Sequence, residues 1–181
     1  MSTVAARSID KTPELTPESV ILRAPRSTDG MEVHELIERC KPLDENSVYC
    51  NLLQATHFRD SSVVVEGPDG DLFGFISGYV LPDRPDTLFI WQVAVSSDAR
   101  GLGLGKRMLK HILERPALSE VRYLHTTVTP DNEASWGMFK SLARELDAPV
   151  GTTVMFESDA HFQGAHDDEV LLQIGPFEIE D

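Results

Sequence analysis

The sequence predicts one α/β domain over residues 20–176: a central mixed, mostly antiparallel sheet flanked by helices, in the order β-α-α-β-β-β-α-β-α-β-β. Three observations predict it. Leu88 to Val95 is apolar at every position but Gln92, the pattern of a strand buried on both faces in the middle of a covered sheet. After it, Met108, Leu109, Ile112 and Leu113 recur at helical spacing. Before it, Gly67-Pro68-Asp69-Gly70 separates two β-rich runs and marks a hairpin.

Each element has its own signal. Residues 1–19 are rich in Ser, Thr and Pro without an apolar period and read as a disordered tail. Val20–Ala24 is a short strand. Ser27, Thr28 and Asp29 are cap-forming residues ahead of Val33, Leu36, Ile37 and Cys40, and Pro42 stops that helix. Asn46 or Ser47 caps a second helix, with Tyr49, Leu52 and Leu53 expected on its inner face. Strands follow at about 61–67 and 71–80, then a Pro-rich loop from Pro82 to Asp86. Pro116 ends the helix that holds Met108, and Val121–Val128 is a strand. Asp131 or Asn132 caps a helix through Met138, Phe139, Leu142 and Leu146, stopped by Pro149. Strands near 152–157 and 169–174 close the domain, and 177–181 is an acidic tail.

Composition excludes several function classes. The chain has 181 residues, 41% of them apolar, and carries 30 Asp plus Glu against 16 Lys plus Arg, for a formal charge of −14. Neither nucleic acid nor an anionic membrane is an expected partner, since both require a broadly basic surface. No apolar run approaches the length of a membrane span, and the N-terminus lacks the apolar stretch of a secretory signal, so a cytoplasmic location is expected. Two cysteines, Cys40 and Cys50, do not make a disulfide framework. The cations are 11 Arg and five Lys. A lysine-poor acidic surface suits solubility in high salt, and ordinary acidic solubility gives the same composition.

The sharpest chemical signal is Arg100-Gly101-Leu102-Gly103-Leu104-Gly105-Lys106, between the buried strand and a helix. Glycines there let the main chain approach a ligand, and the amides of the loop and helix start favour negative charge. Arg100, Lys106, Arg107 and Lys110 add a cationic run with no acid among them. A phosphate-bearing ligand fits. The spacing is neither the Gly-x-Gly-x-x-Gly of dinucleotide-binding folds nor a P-loop.

Arg100, Gly103 and Gly105 after a buried strand resemble the acyl-CoA pyrophosphate loop of the Gcn5-related N-acetyltransferase (GNAT) superfamily, and the element order fits the GNAT fold. Asn132 resembles the Asn that opens the helix after that superfamily's fifth strand. The resemblance implies that Val93 and Val95 hold pantetheine through main-chain groups on a splayed strand. It further implies that Arg100, Gly101, Leu102, Gly103, Leu104, Gly105 and Lys106 hold the pyrophosphate, and that Asn132 contacts the coenzyme arm. Three further segments resemble the diaminobutyrate acetyltransferases of ectoine biosynthesis: Pro42 to Leu53, Phe89 to Val95, and Thr126 to Phe139. By that resemblance, acetyl passes from acetyl-CoA, the co-substrate, to the N4 amine of L-2,4-diaminobutyrate. Asp44, Tyr49 and Trp91 would then be acceptor-site residues, joined by His166 and Glu169. A homodimer is expected by the same analogy.

The chemistry sets further requirements. The amine must lose its proton, the carbonyl oxygen must be stabilised, and the reactants must be aligned. A main-chain amide at Val93 is the expected oxyanion donor, and no nucleophile is needed because the amine attacks acetyl-CoA directly. Many members of the superfamily place a Tyr near the coenzyme sulfur; the corresponding residue here is Phe139, which has no proton to donate. The general base and general acid are left unassigned. No metal is expected, since His161 and His166 with the following acids show no recognised ligand spacing. Two other readings are an acetyltransferase acting on another small amine or a protein amine, and a non-catalytic acyl-CoA sensor.

Overall fold

A computed structural model describes residues 15–179. In chain order the elements are β1 (Ile21–Arg23), α1 (Gly30–Arg39), α2 (Val48–His57), β2 (Val63–Glu66), β3 (Leu72–Leu81), β4 (Arg84–Val95), α3 (Leu104–Leu113), β5 (Tyr123–Val128), α4 (Glu133–Glu145), β6 (Val150–Phe156), α5 (Ser158–Phe162) and β7 (Glu169–Ile174). All seven strands form one sheet in the order β1-β2-β3-β4-β5-β7-β6. Every neighbouring pair is antiparallel except β4 and β5. The mixed, mostly antiparallel α/β architecture expected from sequence is therefore the observed one.

Strand alternation divides the core between the two faces of the sheet. Val63 and Val65 on β2 join Ile76, Leu88, Ile90, Leu124 and Leu172 beneath Met108, Leu109 and Ile112 of α3 and Phe139 and Leu142 of α4. Val64, between them, joins Phe75 and Ala94 on the opposite face, under Val33, Leu36, Ile37 and Cys40. Each fully buried Leu or Ile contributes about 1.5–3 kcal/mol by leaving water.

Several expectations are corrected. The inner face of α2 is polar: Asn51 and Gln54 are buried with Ala55, while Tyr49 is 70% exposed and Leu53 is also exposed. His34 Nδ1–H donates to Asn51 Oδ1 at 3.2 Å, and Asn51 Nδ2 donates to Gln54 Oε1 at 3.0 Å. Amides replace the apolar stripe there, with Gln54 Nε2 buried without a partner among the described residues. The loop expected from Pro82 to Asp86 is shorter, because β4 already begins at Arg84. Pro85 is tolerated because the β3–β4 register shifts between Val80 and Leu81. A short helix, α5, was not foreseen. The N-terminal tail expected over 1–19 is partly structured: Thr16 and Ser19 close a turn, with Thr16 N–H donating to Ser19 Oγ at 2.9 Å. Its first 14 residues lie outside the described ones. At the other end Phe177 is 3% exposed and packs in the core, so the ordered chain continues past the expected boundary at 176.

One ion-pair cluster ties β1 to the start of α1. Arg23 donates to both Asp29 oxygens, at 2.8 and 3.0 Å, and to Glu66 Oε2 at 2.6 Å. The Arg26 amide adds a 2.6 Å bond to Asp29. Burial opposes ionisation of Asp29, but the Arg23 guanidinium and the Arg26 amide outweigh it and hold its pKa below the ordinary carboxylate value. With the folded pKa depressed, the stabilisation is present above about pH 4 and is lost as pH falls through the folded value. Asp29→Ala leaves the guanidinium half-paired in a largely buried site. It is expected to cost about 3 kcal/mol in urea unfolding at pH 7, and to flatten the acid limb of the stability profile.

Candidate active site

The site is built where β4 leaves β5. Parallel pairing runs from Thr87 opposite Tyr123 to Ile90 opposite Thr126, with no pair beyond. At that point Trp91 is bulged out between the Gly78–Ile90 and Ser77–Gln92 pairs of the β3–β4 ladder. A bulge adds twist and bends its strand. Thr126 Oγ1 donates to the Ile90 carbonyl at 3.0 Å, closing the last rung. Past it, β4 stays with β3 alone. The Ser96 amide donates to the Phe73 carbonyl at 2.9 Å. By the alternation of an antiparallel ladder, Ala94 and Gln92 turn their main-chain groups toward β3. Val93 and Val95 turn theirs toward the edge that β5 has vacated. The expectation that β4 is buried on both faces thus holds only to Ile90; Trp91 is 46% exposed.

This parting opens a cleft of about 1200 Å³. Its walls are the β4 segment Ile90–Val93, Thr126 to Thr129 at the end of β5, the first turn of α4, the 42–46 loop, and Phe156, Phe162 and 164–169 around α5. Of the residues singled out from sequence, Asp44, Trp91, Val93, Asn132, His166 and Glu169 come together here, with Phe139 at the floor. Tyr49, Val95 and the 100–106 loop lie outside the lining. The Val95 carbonyl already accepts from the Cys40 thiol at 3.4 Å.

Sequence reasoning missed Thr126, Thr127, Thr129, Asn46, Phe156 and Phe162 as site-lining residues. The threonines sit at the end of a predicted strand and left only a weak signal. Phe162 lies on α5, for which the sequence gives no signal, and Phe156 ends the strand expected near 152–157, with nothing local to mark it as facing a cleft. Gln92 was visible as the one polar residue in an apolar run, yet no role followed from that.

The cleft is electrostatically one-sided. Asp44, Asp131, Glu133, Asp167 and Glu169 line it, with no Lys or Arg among its lining residues. His166 is the single residue there able to become cationic. Its Nδ1–H donates to the Asp167 carbonyl at 2.7 Å, and its Nε2 stands 3.9 Å from Glu169. The ring lies against Phe162, centroids 4.7 Å apart. The hydrogen bond to the Asp167 carbonyl, with the Glu169, Asp44 and Asp167 carboxylates, raises its pKa above the ordinary histidine value. His161 is engaged elsewhere, its Nδ1 accepting from the Glu157 amide at 2.9 Å. Among the described residues no three His, Cys, Asp or Glu side chains form a metal-binding group.

The glycine loop follows β4 into α3. Gly101 and Gly103 have φ of +83° and +65°, conformations that favour glycine. Gly103 is also the α3 N-cap, so the amides of Leu104, Gly105 and Lys106 have no intrahelical acceptor and face outward as a positive pole. A Cβ on Gly105 would stand 2.4 Å from Met138 Sδ, so a side chain there would require Met138 to shift where α3 meets α4. The expected cationic run is largely tied up. Lys106 bonds Ser141 Oγ at 3.2 Å and Glu145, Lys110 reaches Glu145 at 3.5 Å, and Arg107 donates to the Pro17 carbonyl at 3.0 Å. Arg100 is exposed and makes no ion pair among the described residues. Asn132 caps α4, its Oδ1 accepting from the Ser135 amide at 3.1 Å.

A splayed parallel pair followed by a glycine-capped helix is an arrangement of acyl-coenzyme A transferases, and comparison with known proteins agrees. The acetyltransferase (GNAT) family model matches residues 31–143. The chain is 50% identical to the L-2,4-diaminobutyric acid acetyltransferase of Methylotuvimicrobium alcaliphilum over 87% of its length and 91% of the relative's. It is 52% identical to that of Bordetella parapertussis, over 86% and 84%. A solved structure, diaminobutyrate acetyltransferase EctA from Paenibacillus lautus in complex with its substrate L-2,4-diaminobutyric acid and coenzyme A, superposes with a TM-score of 0.83. It is 40% identical, covering 90% of this chain and 98% of that one. The chain belongs to the GNAT acetyltransferase family and, within it, to the L-2,4-diaminobutyric acid acetyltransferases.

The His166 ring is expected to titrate above about 6.5 when followed by NMR. Glu169→Gln and Asp44→Asn should each lower the midpoint, because each removes a facing negative charge.

Proposed function

We propose that this enzyme moves acetyl from acetyl-CoA to the N4 amine of L-2,4-diaminobutyrate, giving N4-acetyl-L-2,4-diaminobutyrate, a step toward the osmolyte ectoine. The observation that carries this reading is the charge of the cleft: five carboxylates, no Lys or Arg, and one histidine. A diamino acid presents two ammonium groups and one carboxylate, and the lining is complementary to that set. A protein lysine or N-terminus has no such need for a cation to meet a carboxylate. The likeness to a structure whose own substrate is diaminobutyrate supports the same choice.

The reaction follows from the two halves of the site. Coenzyme A lies along the vacated edge of β4, its pantetheine against the main-chain groups of Val93 and Val95. Its pyrophosphate sits on the amides of Gly101 to Lys106 with Arg100 alongside, and Asn132 faces the coenzyme arm. The acceptor lies among Asp44, Trp91, His166 and Glu169, with its carboxylate toward the His166 ring. Once neutral, the N4 nitrogen attacks the thioester carbonyl carbon. Negative charge develops on the carbonyl oxygen, where the Val93 amide donates. The tetrahedral centre then collapses by breaking the C–S bond, the coenzyme leaves as thiolate, and the new amide sheds the remaining proton to solvent. Phe139 at the cleft floor is no acid, and a thiol's pKa of about 8.5 lets the thiolate depart unprotonated. Tyr49 stands exposed at the start of α2, outside the cleft lining.

The same reading includes a cytoplasmic homodimer. No helix among the described residues is long and apolar enough to cross a membrane. β6 is the terminal strand of the sheet, exposed along its whole length, with Val150, Val154, Met155 and Phe156 and no charged residue. Such an edge invites pairing.

Arg100→Glu is expected to raise KM for acetyl-CoA at least tenfold while KM for diaminobutyrate changes little. Equal effects on both would remove Arg100 from the coenzyme site. Asp44→Ala should do the reverse, weakening amine use with coenzyme affinity by calorimetry unchanged. Thiol release should persist after chelator treatment; activity lost and then restored by added metal would contradict the mechanism.

A further inference from the structure

We infer that Gln92 is a positioning residue that sets where the Asp44 carboxylate stands in the acceptor half of the cleft, an inference that rests on the proposed function and deepens it. Gln92 is the one polar side chain between Leu88 and Val95, and it is 9% exposed. A buried carboxamide is costly unless both its ends are bonded. Both are bonded here, and both to the same loop. Gln92 Nε2 donates to the Asp44 carbonyl at 2.9 Å, and Asn46 Nδ2 donates to Gln92 Oε1 at 3.2 Å.

That loop needs an anchor. Between the end of α1 and the Ser47 cap of α2 it has no regular secondary structure. Its other ties among the described residues are the Cys40 thiol on the Val95 carbonyl at 3.4 Å, the Leu43 amide on the Cys40 carbonyl at 3.1 Å, the packing of Cys40 and Leu43, and an exposed Lys41–Glu45 pair. The Asp44 side chain itself is exposed and makes no hydrogen bond among the described residues. Its position is therefore inherited from its main chain, which Gln92 holds. The strand neighbours of Gln92 are Trp91 and Val93, and both line the cleft. One short stretch of β4 thus fixes the donor side through Val93 and the acceptor side through Gln92. Their separation is set by the backbone of a single strand rather than by a mobile loop.

Gln92→Met keeps length and bulk and removes both bonds. KM for diaminobutyrate is expected to rise about tenfold, the size of losing two neutral hydrogen bonds. KM for acetyl-CoA should stay within about twofold. In an Asp44→Ala background the same change should add less than about twofold, because its effect passes through Asp44. Where Gln92→Met gives no folded protein, Gln92→Asn reads the same split: it keeps the amide but is one methylene too short for both partners. Equal rises in the two KM values, or full additivity with Asp44→Ala, overturn the inference. A wild-type enzyme that releases no thiol with diaminobutyrate overturns the proposed function instead, and the inference with it.

Discussion

The structure depends on one discontinuity, the end of pairing between β4 and β5 after Ile90 and Thr126. A sheet interior normally satisfies every main-chain donor and acceptor, and burying them unpaired is costly. Here the Trp91 bulge turns β4 aside and the Thr126 hydroxyl caps the last rung, so the main-chain groups of Val93 are left facing a cleft. An extended ligand with amides of its own can complete the ladder that β5 abandons. Fold and proposed function meet at that point, since the same departure frees the strand edge assigned above to the coenzyme and opens the cleft assigned to the acceptor.

The two ends of the site work by different physics. At the α3 start, attraction comes from main-chain amides and a helix pole, made accessible by glycines with positive φ. In the cleft it comes from side-chain charge, five carboxylates against one imidazole. The first suits a coenzyme whose phosphates are the same in every turnover. The second suits an acceptor that carries ammonium groups.

Much of this was legible in the sequence because its signals are local. The glycine loop, the Asn132 cap, the hairpin at Gly67–Gly70 and the apolar run of β4 each fix a structure within a few residues. The resemblance of the 42–53 segment located Asp44. What the sequence hid was non-local. Tyr49 looked like an inward aromatic, but α2 turns Asn51 and Gln54 inward, a choice made by the His34 contact from another helix. The free cations expected at Lys106 and Lys110 are claimed by Glu145, 39 and 35 residues away. Gln92 stood out as an anomaly, and only the loop folded over it explains why an amide is kept there.

The fastening of α3 to α4 has a consequence for a protein so acidic. Lys106, Lys110 and Glu145 form an exposed charge cluster, and in molar salt the screening distance shrinks to about 3 Å, so its pull fades. Beside it, Met138 fits the notch left by Gly105, and Ser141 accepts from Lys106. Van der Waals fit is indifferent to dissolved ions. The start of α3 is thus joined to α4 by packing as well as by charge, where a purely ionic hinge would weaken as salt rises.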